Sequence, residues 1–217
     1  MKIFIDSGNL KEIEALVPLG IIDGITTNPS LLAKEGGDYR GILKKICEIV
    51  KGPTSAEVVA TDVEGMLREG RDLATIHEHI IVKVPFTRAG VQACKTLSSE
   101  GIRVNVTLVF TAAQALLAAK VGATFVSPFV GRLDDIATSG MNLISEIVEI
   151  FENYDFSTEI LVASTRGPMH IVEAARLGAD ICTCPAAVID ALFKHPLTDI
   201  GLERFLKDWE KAQAIKA

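Results

Sequence analysis

Short runs of apolar and β-branched residues alternate with longer stretches of helical period eight times along the 217-residue chain, a pattern typical of alternating strands and helices. Strands that alternate with helices pair in parallel, because each helical crossover returns the chain to the same end of the sheet. The predicted strands are Lys2–Asp6, Asp23–Thr27, Thr54–Val59, Ile80–Val84, Arg103–Val109, Thr124–Ser127, Glu159–Ala163 and Asp180–Cys184. The last amphipathic stretch, Leu202–Ile215, has no strand after it and predicts an additional C-terminal helix.

Two parallel-sheet architectures are compatible with this alternation, a closed (β/α)₈ barrel and an open doubly wound sheet. Eight units in 217 residues leave about 27 residues each, near the lower end of what the barrel needs. The open sheet usually has a Gly-x-Gly-x-x-Gly turn after its first strand, and residues 6–10 (DSGNL) lack it. No linker rich in Pro, Gly or Ser divides the chain. We therefore expect one α/β domain over residues 1–217, a (β/α)₈ TIM barrel with a C-terminal helix at about 199–215.

Composition excludes several classes of protein. Hydrophobic residues make up 48% of the chain, too many for a disordered segment. The formal net charge of −6 argues against binding to nucleic acids, which needs clustered Lys and Arg. No apolar run approaches the roughly 20 residues of a membrane span, and the start, Met1–Asp6, has a carboxylate where a signal peptide is apolar. We expect a soluble cytoplasmic protein without nucleic-acid or membrane partners.

The cysteines and histidines do not form a metal-binding motif. The four cysteines, which all have apolar surroundings, are Cys47, Cys94, Cys182 and Cys184. They are expected to be buried, reduced thiols, and the pair at 182 and 184 lacks the second pair of ligands that a zinc site needs. The segment His77–His79 is interpreted as the turn that enters a strand. We expect neither a metal nor a cofactor.

Polar residues occur at seven of the eight predicted strand ends. Active sites of (β/α)₈ barrels lie at the carboxyl ends of the strands, and a buried polar group without a partner costs about 1–3 kcal/mol. In strand order these residues are Asp6; Thr26, Thr27 and Asn28; Glu57; Lys83; Asn105 and Thr107; Ser127 and Arg132; and Ser164, Thr165 and Arg166. Only strand eight, which ends at Pro185, looks chemically inactive. The recurrence at one end of seven strands predicts a single polar site.

Each of these residues also has a purely structural explanation. A single Asn or Thr in a strand is more often a hydrogen-bonded core residue. Asp6 and Asn28 are suited to cap the helices that follow them, and Ser164 is suited to cap the helix after strand seven. Arg132 is followed by aspartates at positions 134 and 135, which are candidate partners for an exposed salt bridge.

Lys83 is the most informative of these residues, since it lies among apolar neighbours from Ile80 to Phe86. A parallel sheet is covered on both faces, so this lysine reaches solvent only along the barrel axis or beside a helix. Burial favours the neutral amine, and a neutral amine attacks carbonyl carbons to form a Schiff base. The structural alternative is a lysine that forms an ion pair with Glu57 on the adjacent strand.

The residues predicted around Lys83 suit Schiff-base chemistry on a phosphorylated sugar. Asp6 and Glu57 are acid/base candidates, and Thr107 is suited to hold a water that relays a proton. The candidates for binding sugar hydroxyls are Asn28, Asn105 and Ser127, and those for binding phosphate are Arg132 and Arg166. We therefore predict a Schiff-base lyase or transferase that acts on a sugar phosphate.

Five segments of the sequence resemble the signature segments of transaldolases. They are residues 26–31 (TTNPSL), 82–85 (VKVP), 105–110 (NVTLVF), 127–132 (SPFVGR) and 164–166 (STR). They occur in order along nearly the whole chain, and its short length points to the small transaldolase subfamily, which also contains fructose 6-phosphate aldolases. Membership would imply a (β/α)₈ barrel without a metal and a ring-shaped homo-oligomer, often a decamer, in which the C-terminal helix reaches a neighbour.

The resemblance implies a role for each matching residue. Lys83 would form the Schiff base, and Asp6 and Glu57, with a water held by Thr107, would transfer protons. The substrate-binding residues would be Thr26, Asn28, Asn105, Ser127 and Phe129 for the sugar and Arg132, Ser164 and Arg166 for the phosphate. The implied reaction transfers a dihydroxyacetone unit from sedoheptulose 7-phosphate or fructose 6-phosphate to an aldose phosphate, in the non-oxidative pentose phosphate pathway.

Two positions separate the activities of this subfamily. The aldolases tend to have Gln where this chain has Glu57 and Tyr where it has Phe129. A tyrosine hydroxyl near the enamine would help to protonate it and release free dihydroxyacetone, whereas Phe129 cannot donate a proton. This favours a transaldolase over a fructose 6-phosphate aldolase; the remaining alternative is a sugar-phosphate-binding barrel without activity. Thr165 departs from the pattern, since many relatives have a bulkier apolar residue there.

Overall fold

The computed structural model describes residues 1–216, and in it eight parallel strands close into a barrel in sequence order. The strands are β1 (Lys2–Asp6), β2 (Gly24–Thr26), β3 (Thr54–Glu57), β4 (Ile80–Pro85), β5 (Val104–Val109), β6 (Phe125–Pro128), β7 (Glu159–Val162) and β8 (Ile181–Cys184). The helices are α1 (Leu10–Leu16), α2 (Pro29–Glu35), α3 (Tyr39–Val50), α4 (Val63–Ala74), α5 (Arg88–Ser99), α6 (Ala112–Lys120), α7 (Val130–Asp134), α8 (Gly140–Tyr154), α9 (Pro168–Leu177), α10 (Ala186–Leu192) and α11 (Pro196–Lys216). The predicted (β/α)₈ barrel with a C-terminal helix is confirmed.

The ends of several elements differ from the prediction for reasons visible in their hydrogen bonds. Strand β3 ends at Glu57, because the N–H groups of Val59 and Ala60 donate to the Glu69 carboxylate at 2.8 and 3.0 Å and not to a neighbouring strand. The C-terminal helix begins at Pro196, earlier than the predicted start near 199. Within residues 1–216, none of the helices combines the length and apolar character that crossing a membrane requires.

Alternate strand residues face the barrel interior, and at the amino-terminal end of the barrel these residues are apolar. The apolar interior cluster consists of Phe4, Ile81, Phe125, Leu161 and Ile181, together with Ala163, which follows β7 and packs on the cluster from the carboxyl end. The rings of Phe4 and Phe125 meet edge to face with their centroids 6.1 Å apart. Gly24 makes room for this packing, since a Cβ there would lie 2.6 Å from the Phe4 ring. The layer closes one end of the barrel and leaves the carboxyl end for polar side chains.

A larger apolar layer lies between the strands and the surrounding helices, and the cysteines belong to it. All four cysteines are buried free thiols, as predicted. Burial raises the pKa of the Cys182 and Cys184 thiols to about 12, which leaves both protonated at neutral pH. Thr183, between them, points to the opposite face of the strand and therefore into the barrel.

Candidate active site

The predicted polar residues gather around one cleft of about 290 Å³. The cleft lies at the carboxyl ends of the strands, where the active sites of (β/α)₈ barrels are found. Its lining consists of Asp6, Thr26, Asn28, Lys83, Thr107, Ser127, Phe129, Arg132, Ala163, Ser164, Thr165, Arg166, Thr183 and Pro185. Seven of the eight strands or the loops after them contribute a side chain, and β3 is the exception.

Lys83 lies on β4 with 6% of its surface exposed. Strand register pairs Glu57 of β3 with Lys83, and the lysine Nζ lies 2.9 Å from Glu57 Oε2 and donates to the carbonyl oxygen of Thr27 at 3.2 Å. The two sequence interpretations of Lys83 are thus present together, since the amine lines the cleft and is also ion-paired. The pairing places a carboxylate oxygen where it can exchange a proton with the amine.

Glu57 approaches Lys83 from outside the cleft. Its side chain is 16% exposed and lines a second, largely apolar cavity of about 520 Å³ beside α2 and α4, together with residues such as Leu32 and Leu73. Glu57 is therefore partly accessible to solvent while its Oε2 faces the lysine. Partial exposure lowers the desolvation cost of placing a carboxyl group next to a buried amine.

A chain of hydroxyl groups connects Asp6 to β8. The Thr26 hydroxyl donates to Asp6 Oδ1 at 2.8 Å and lies 2.7 Å from the Thr183 hydroxyl. Burial raises the pKa of Asp6 above its usual value, while the Thr26 hydrogen bond and the charge of Lys83 act in the opposite direction. Asp6 does not cap α1, because Asn9 does so. The expectation that strand eight is chemically inactive is wrong, since Thr183 lines the cleft.

Thr107 presents a buried hydroxyl that has no hydrogen-bond partner within the described part of the chain. The next residue, Leu108, has a left-handed backbone (φ 59°), and the pairing of β5 with β6 shifts register between Val106 and Val109. This bulge re-aims the strand at the cleft. A buried hydroxyl without a partner costs about 1–3 kcal/mol, so the site is suited to a bound water or substrate hydroxyl.

Asn105 lies beneath the cleft and not in its lining. The side chain is fully buried, donates from Nδ2 to Ser55 Oγ at 3.1 Å, and accepts at Oδ1 from the Ser127 hydroxyl at 2.8 Å. Ser127 does line the cleft, so Asn105 orients Ser127. Sequence reasoning missed Ser55, although it lies two residues before Glu57 in β3 and therefore on the same face of the strand.

Two arginines stand at the rim of the cleft with different partners. The guanidinium carbon of Arg132 lies 5.1 Å from the centroid of the Phe129 ring, which also packs against Phe110 at 5.9 Å. Arg166 donates to Asp135 Oδ2 at 2.6 Å. The structural alternative, in which Arg132 pairs with an aspartate at position 134 or 135, is not observed, because Asp135 turns toward Arg166 and Asp134 toward His170.

Asn28 both caps a helix and lines the cleft, as the two interpretations of this residue predicted. Its Oδ1 accepts the Leu31 N–H at 2.9 Å as the cap of α2, and the side chain also lines the cleft. Ser164 does not cap α9, since Gly167 occupies that position without a side-chain bond. Ser164 instead has a left-handed backbone (φ 60°) and faces the cleft.

Fold and site together define a (β/α)₈ barrel protein whose polar cleft is built around one buried lysine. The chain belongs to the Transaldolase/Fructose-6-phosphate aldolase family, whose model matches residues 3–216, and it is an enzyme of that family. It is similar to proteins named probable transaldolase: 58% identical over 211 residues to that of Kosmotoga olearia, covering 97% of each chain, and 60% identical over 211 residues to that of Aquifex aeolicus, again covering 97% of each.

Solved structures with low sequence identity share the fold. A cube-shaped, highly porous protein cage designed by fusing symmetric oligomeric domains superposes with a TM-score of 0.64 at 14% identity, over 99% of this chain and 78% of that one. Inosine 5' monophosphate dehydrogenase from Legionella pneumophila gives a TM-score of 0.60 at 14% identity, over 87% of this chain and 58% of that one. These similarities concern the barrel alone.

Proposed function

We propose that the enzyme is a transaldolase that moves a dihydroxyacetone unit between sugar phosphates through a Schiff base on Lys83. The observation that carries this proposal is the position of the Lys83 amine, which is buried at the cleft and 2.9 Å from a carboxylate oxygen of Glu57. Glu57 takes the ammonium proton, and the free amine becomes the nucleophile. The polar lining suits a sugar, and the two rim arginines suit its phosphate.

The reaction begins when the donor, fructose 6-phosphate or sedoheptulose 7-phosphate, places its ketone carbon beside Lys83. The amine adds to this carbon to form a carbinolamine, which loses its hydroxyl as water and leaves a protonated imine. Glu57 supplies the proton that the departing hydroxyl needs. Arg132, Ser164 and Arg166 hold the phosphate during this step, which fixes the carbonyl relative to the amine.

Carbon–carbon cleavage follows from the electron demand of the imine. Asp6 removes the proton of the C4 hydroxyl, the C3–C4 bond breaks, and its electron pair moves into an enamine while the aldose phosphate leaves. The raised pKa of Asp6 suits a group that takes and returns a proton near neutral pH. The enamine then attacks the aldehyde carbon of the acceptor, and Asp6 returns the proton to the new hydroxyl. A water held at Thr107 hydrolyses the product imine and restores the amine.

Phe129 supports transfer over simple cleavage. Its ring lines the cleft and packs against Phe110 and Arg132, and a phenyl ring has no proton to give to the enamine. The enamine therefore persists until an acceptor aldehyde arrives. A fructose 6-phosphate aldolase needs a donor at this stage to release free dihydroxyacetone.

The direct test measures glyceraldehyde 3-phosphate released from fructose 6-phosphate with and without erythrose 4-phosphate. A transaldolase requires the acceptor for more than one turnover. Sustained release without it would identify an aldolase and overturn the role given to Phe129. No release in either assay would leave a barrel that only binds sugar phosphates. Lys83→Arg, which keeps the charge and removes the nucleophile, is the control that must be inactive.

We also propose a cytoplasmic homo-oligomer, up to the decamer implied by the resemblance. Helix α11 supports association, since Leu197 (70%), Phe205 (74%) and Trp209 (64%) are exposed on it, and exposed apolar patches of this kind mark interaction sites. The four reduced thiols suit the cytoplasm. Light scattering of the purified protein tests the assembly; a monomer that stays monomeric at high concentration would contradict it.

A further inference from the structure

The loop after β7 carries two of the residues assigned to the phosphate, Ser164 and Arg166. Two side-chain hydrogen bonds anchor this loop, in addition to the backbone bond from the Gly131 N–H to the Ser164 carbonyl oxygen at 3.1 Å. The Thr165 hydroxyl donates to the carbonyl oxygen of Thr183 at 2.9 Å. The Arg166 N–H donates to Nδ1 of His170, in the first turn of α9, at 3.0 Å. The second anchor uses a side chain that has no other function in the proposed reaction.

The hydrogen bonds of His170 determine which ring nitrogen carries the proton. Because Nδ1 accepts the Arg166 N–H, it is unprotonated, and the proton of the neutral ring is on Nε2. Nε2 lies 2.8 Å from Asp134 Oδ2 and donates to it. The other oxygen of this carboxylate accepts the N–H of Gly140, the first residue of α8, at 2.9 Å.

These hydrogen bonds form a chain in which each donor is fixed. Gly140 and His170 donate to Asp134, and Arg166 donates to His170. This chain of hydrogen bonds joins α7, α8, α9 and the loop after β7. The His170 side chain is 16% exposed and that of Asp134 is 37% exposed, so solvent competes less for the ring than for the carboxylate. The side-chain ion pair of Arg166 with Asp135 is more than half exposed on both sides and contributes little to holding the arginine.

We propose that His170 is a positioning residue for phosphate binding, which holds the Arg166 backbone through Nδ1 so that Arg166 and Ser164 face the cleft. Asp134 acts one step further out by fixing the tautomer of His170. This inference rests on the proposed function, because it takes the anion at Arg166 to be the phosphate of the substrate. It predicts that the affinity for phosphate depends more on a hydrogen-bond acceptor at the Nδ1 position than on the imidazole ring itself.

Three substitutions separate the positioning role from a general packing role. His170→Asn keeps an oxygen near the Nδ1 position and restores the bond to Arg166, whereas His170→Leu removes it. In Asp134→Asn, one amide orientation turns its NH₂ toward His170, which forces the proton onto Nδ1, and the other turns the NH₂ toward Gly140. Either orientation breaks one bond of the chain. His195→Leu is the matched control, since His195 Nδ1 also accepts a backbone N–H, from Leu197 at 3.2 Å.

The first readout is the concentration of inorganic phosphate that half-saturates the protein (its Kd), obtained for each variant as the full chain from the dependence of the melting temperature on phosphate concentration. We expect this concentration to increase about tenfold in His170→Leu, as the loss of one hydrogen bond implies. In Asp134→Asn it should increase only to the extent that the NH₂ group faces His170, because the other amide orientation leaves the bond to Arg166 in place. It should increase less than about threefold in His170→Asn and stay at the wild-type value in His195→Leu. The second readout is turnover of fructose 6-phosphate, in which KM should follow the same order and change more than kcat.

Two results would overturn the inference: wild-type phosphate affinity in His170→Leu, or equal losses in His170→Asn and His170→Leu. If His170→Leu does not fold, His170→Asn still tests the inference, because an increase of about tenfold or more in this variant, which keeps the acceptor, would contradict it. The proposed function fails independently. A protein without turnover whose phosphate affinity follows the predicted order would refute the transaldolase assignment and support the positioning role of His170, and normal turnover with the wrong order would do the reverse.

Discussion

Replacing Lys83 with methionine keeps most of the length of the side chain but removes its charge, so that Glu57 remains beside the barrel without its partner. The two charged atoms are 2.9 Å apart, and the side chains are 7% and 16% exposed. At an effective dielectric constant of about 20, their direct attraction amounts to about 6 kcal/mol. Part of this offsets the lost hydration of both groups, and removal of one partner of a buried pair typically costs about 3–5 kcal/mol.

We expect Lys83→Met to cause a loss of stability at the lower end of that range. Glu57 also faces the cavity beside α2 and α4, where water can hydrate the carboxylate once Lys83 is gone. We therefore expect Lys83→Met to lower the free energy of unfolding by about 3 kcal/mol. For a chain of this length that corresponds to a melting temperature lower by about 6–12 °C.

The assay is a double-mutant cycle of Lys83→Met, Glu57→Gln and the double variant, each unfolded by denaturant. All variants are compared at one protein concentration, because the stability of the proposed oligomer would depend on concentration. The double variant should recover most of the loss, since it leaves no charge without a partner. Additive effects of the two single substitutions would mean that the two groups do not interact and would refute the reasoning. Every variant without Lys83 should be inactive.

Three further predictions concern a carboxylate, an aromatic ring and two thiols. Asp6→Asn should abolish turnover and yet raise the melting temperature at pH 7, because burial raises the pKa of Asp6 and makes its ionised form costly. The gain should shrink as the pH falls from the raised pKa of Asp6 toward the ordinary carboxyl value of 3.8 and should be absent below that value. The exposed Asp208→Asn should show no such gain; a melting temperature lowered at pH 7 by Asp6→Asn would contradict this. Phe129→Tyr should release dihydroxyacetone from fructose 6-phosphate without an acceptor, and an unchanged acceptor requirement would argue against the role of the ring. Cys182 and Cys184, whose pKa values burial raises to about 12, should resist iodoacetamide in the folded protein and react in guanidinium; rapid labelling of the folded protein would contradict their burial.

The barrel could be predicted because the sequence pattern that specifies it, apolar runs alternating with helical stretches, is periodic and local. Eight apolar runs separated by helical stretches leave little choice of topology, and the strand β1, Lys2–Asp6, begins and ends where predicted. The cleft followed from the rule that barrel chemistry lies at the carboxyl ends of strands. Both predictions depend on the type of residue at each position and not on which side chain that residue contacts.

Partners of individual side chains could not be predicted, because they depend on the register between strands and on the path of loops. Asp135 pairs with Arg166 from a different loop and not with nearby Arg132. Thr183 seemed inactive between two cysteines, yet the closure of the barrel brings β8 next to β1 and its hydroxyl to Thr26. Its inward position between two outward cysteines was the available signal.

The position of His170 between its partners could not be predicted from the sequence either. In the sequence it is a single histidine on an amphipathic helix, and nothing local indicates that its ring lies between Arg166 and Asp134. Such a chain of hydrogen bonds forms only when α7, α8, α9 and the loop after β7 are packed together. Its members are identifiable by geometry and not by motif.

The central claim is that the Lys83 amine forms a covalent imine with the substrate. It is tested most directly by reducing the protein with borohydride in the presence of fructose 6-phosphate and mapping the modified peptide by mass spectrometry. We expect one stable adduct, on the peptide that contains Lys83, and none in Lys83→Arg. The absence of an adduct, or an adduct confined to a different lysine, would contradict the assignment.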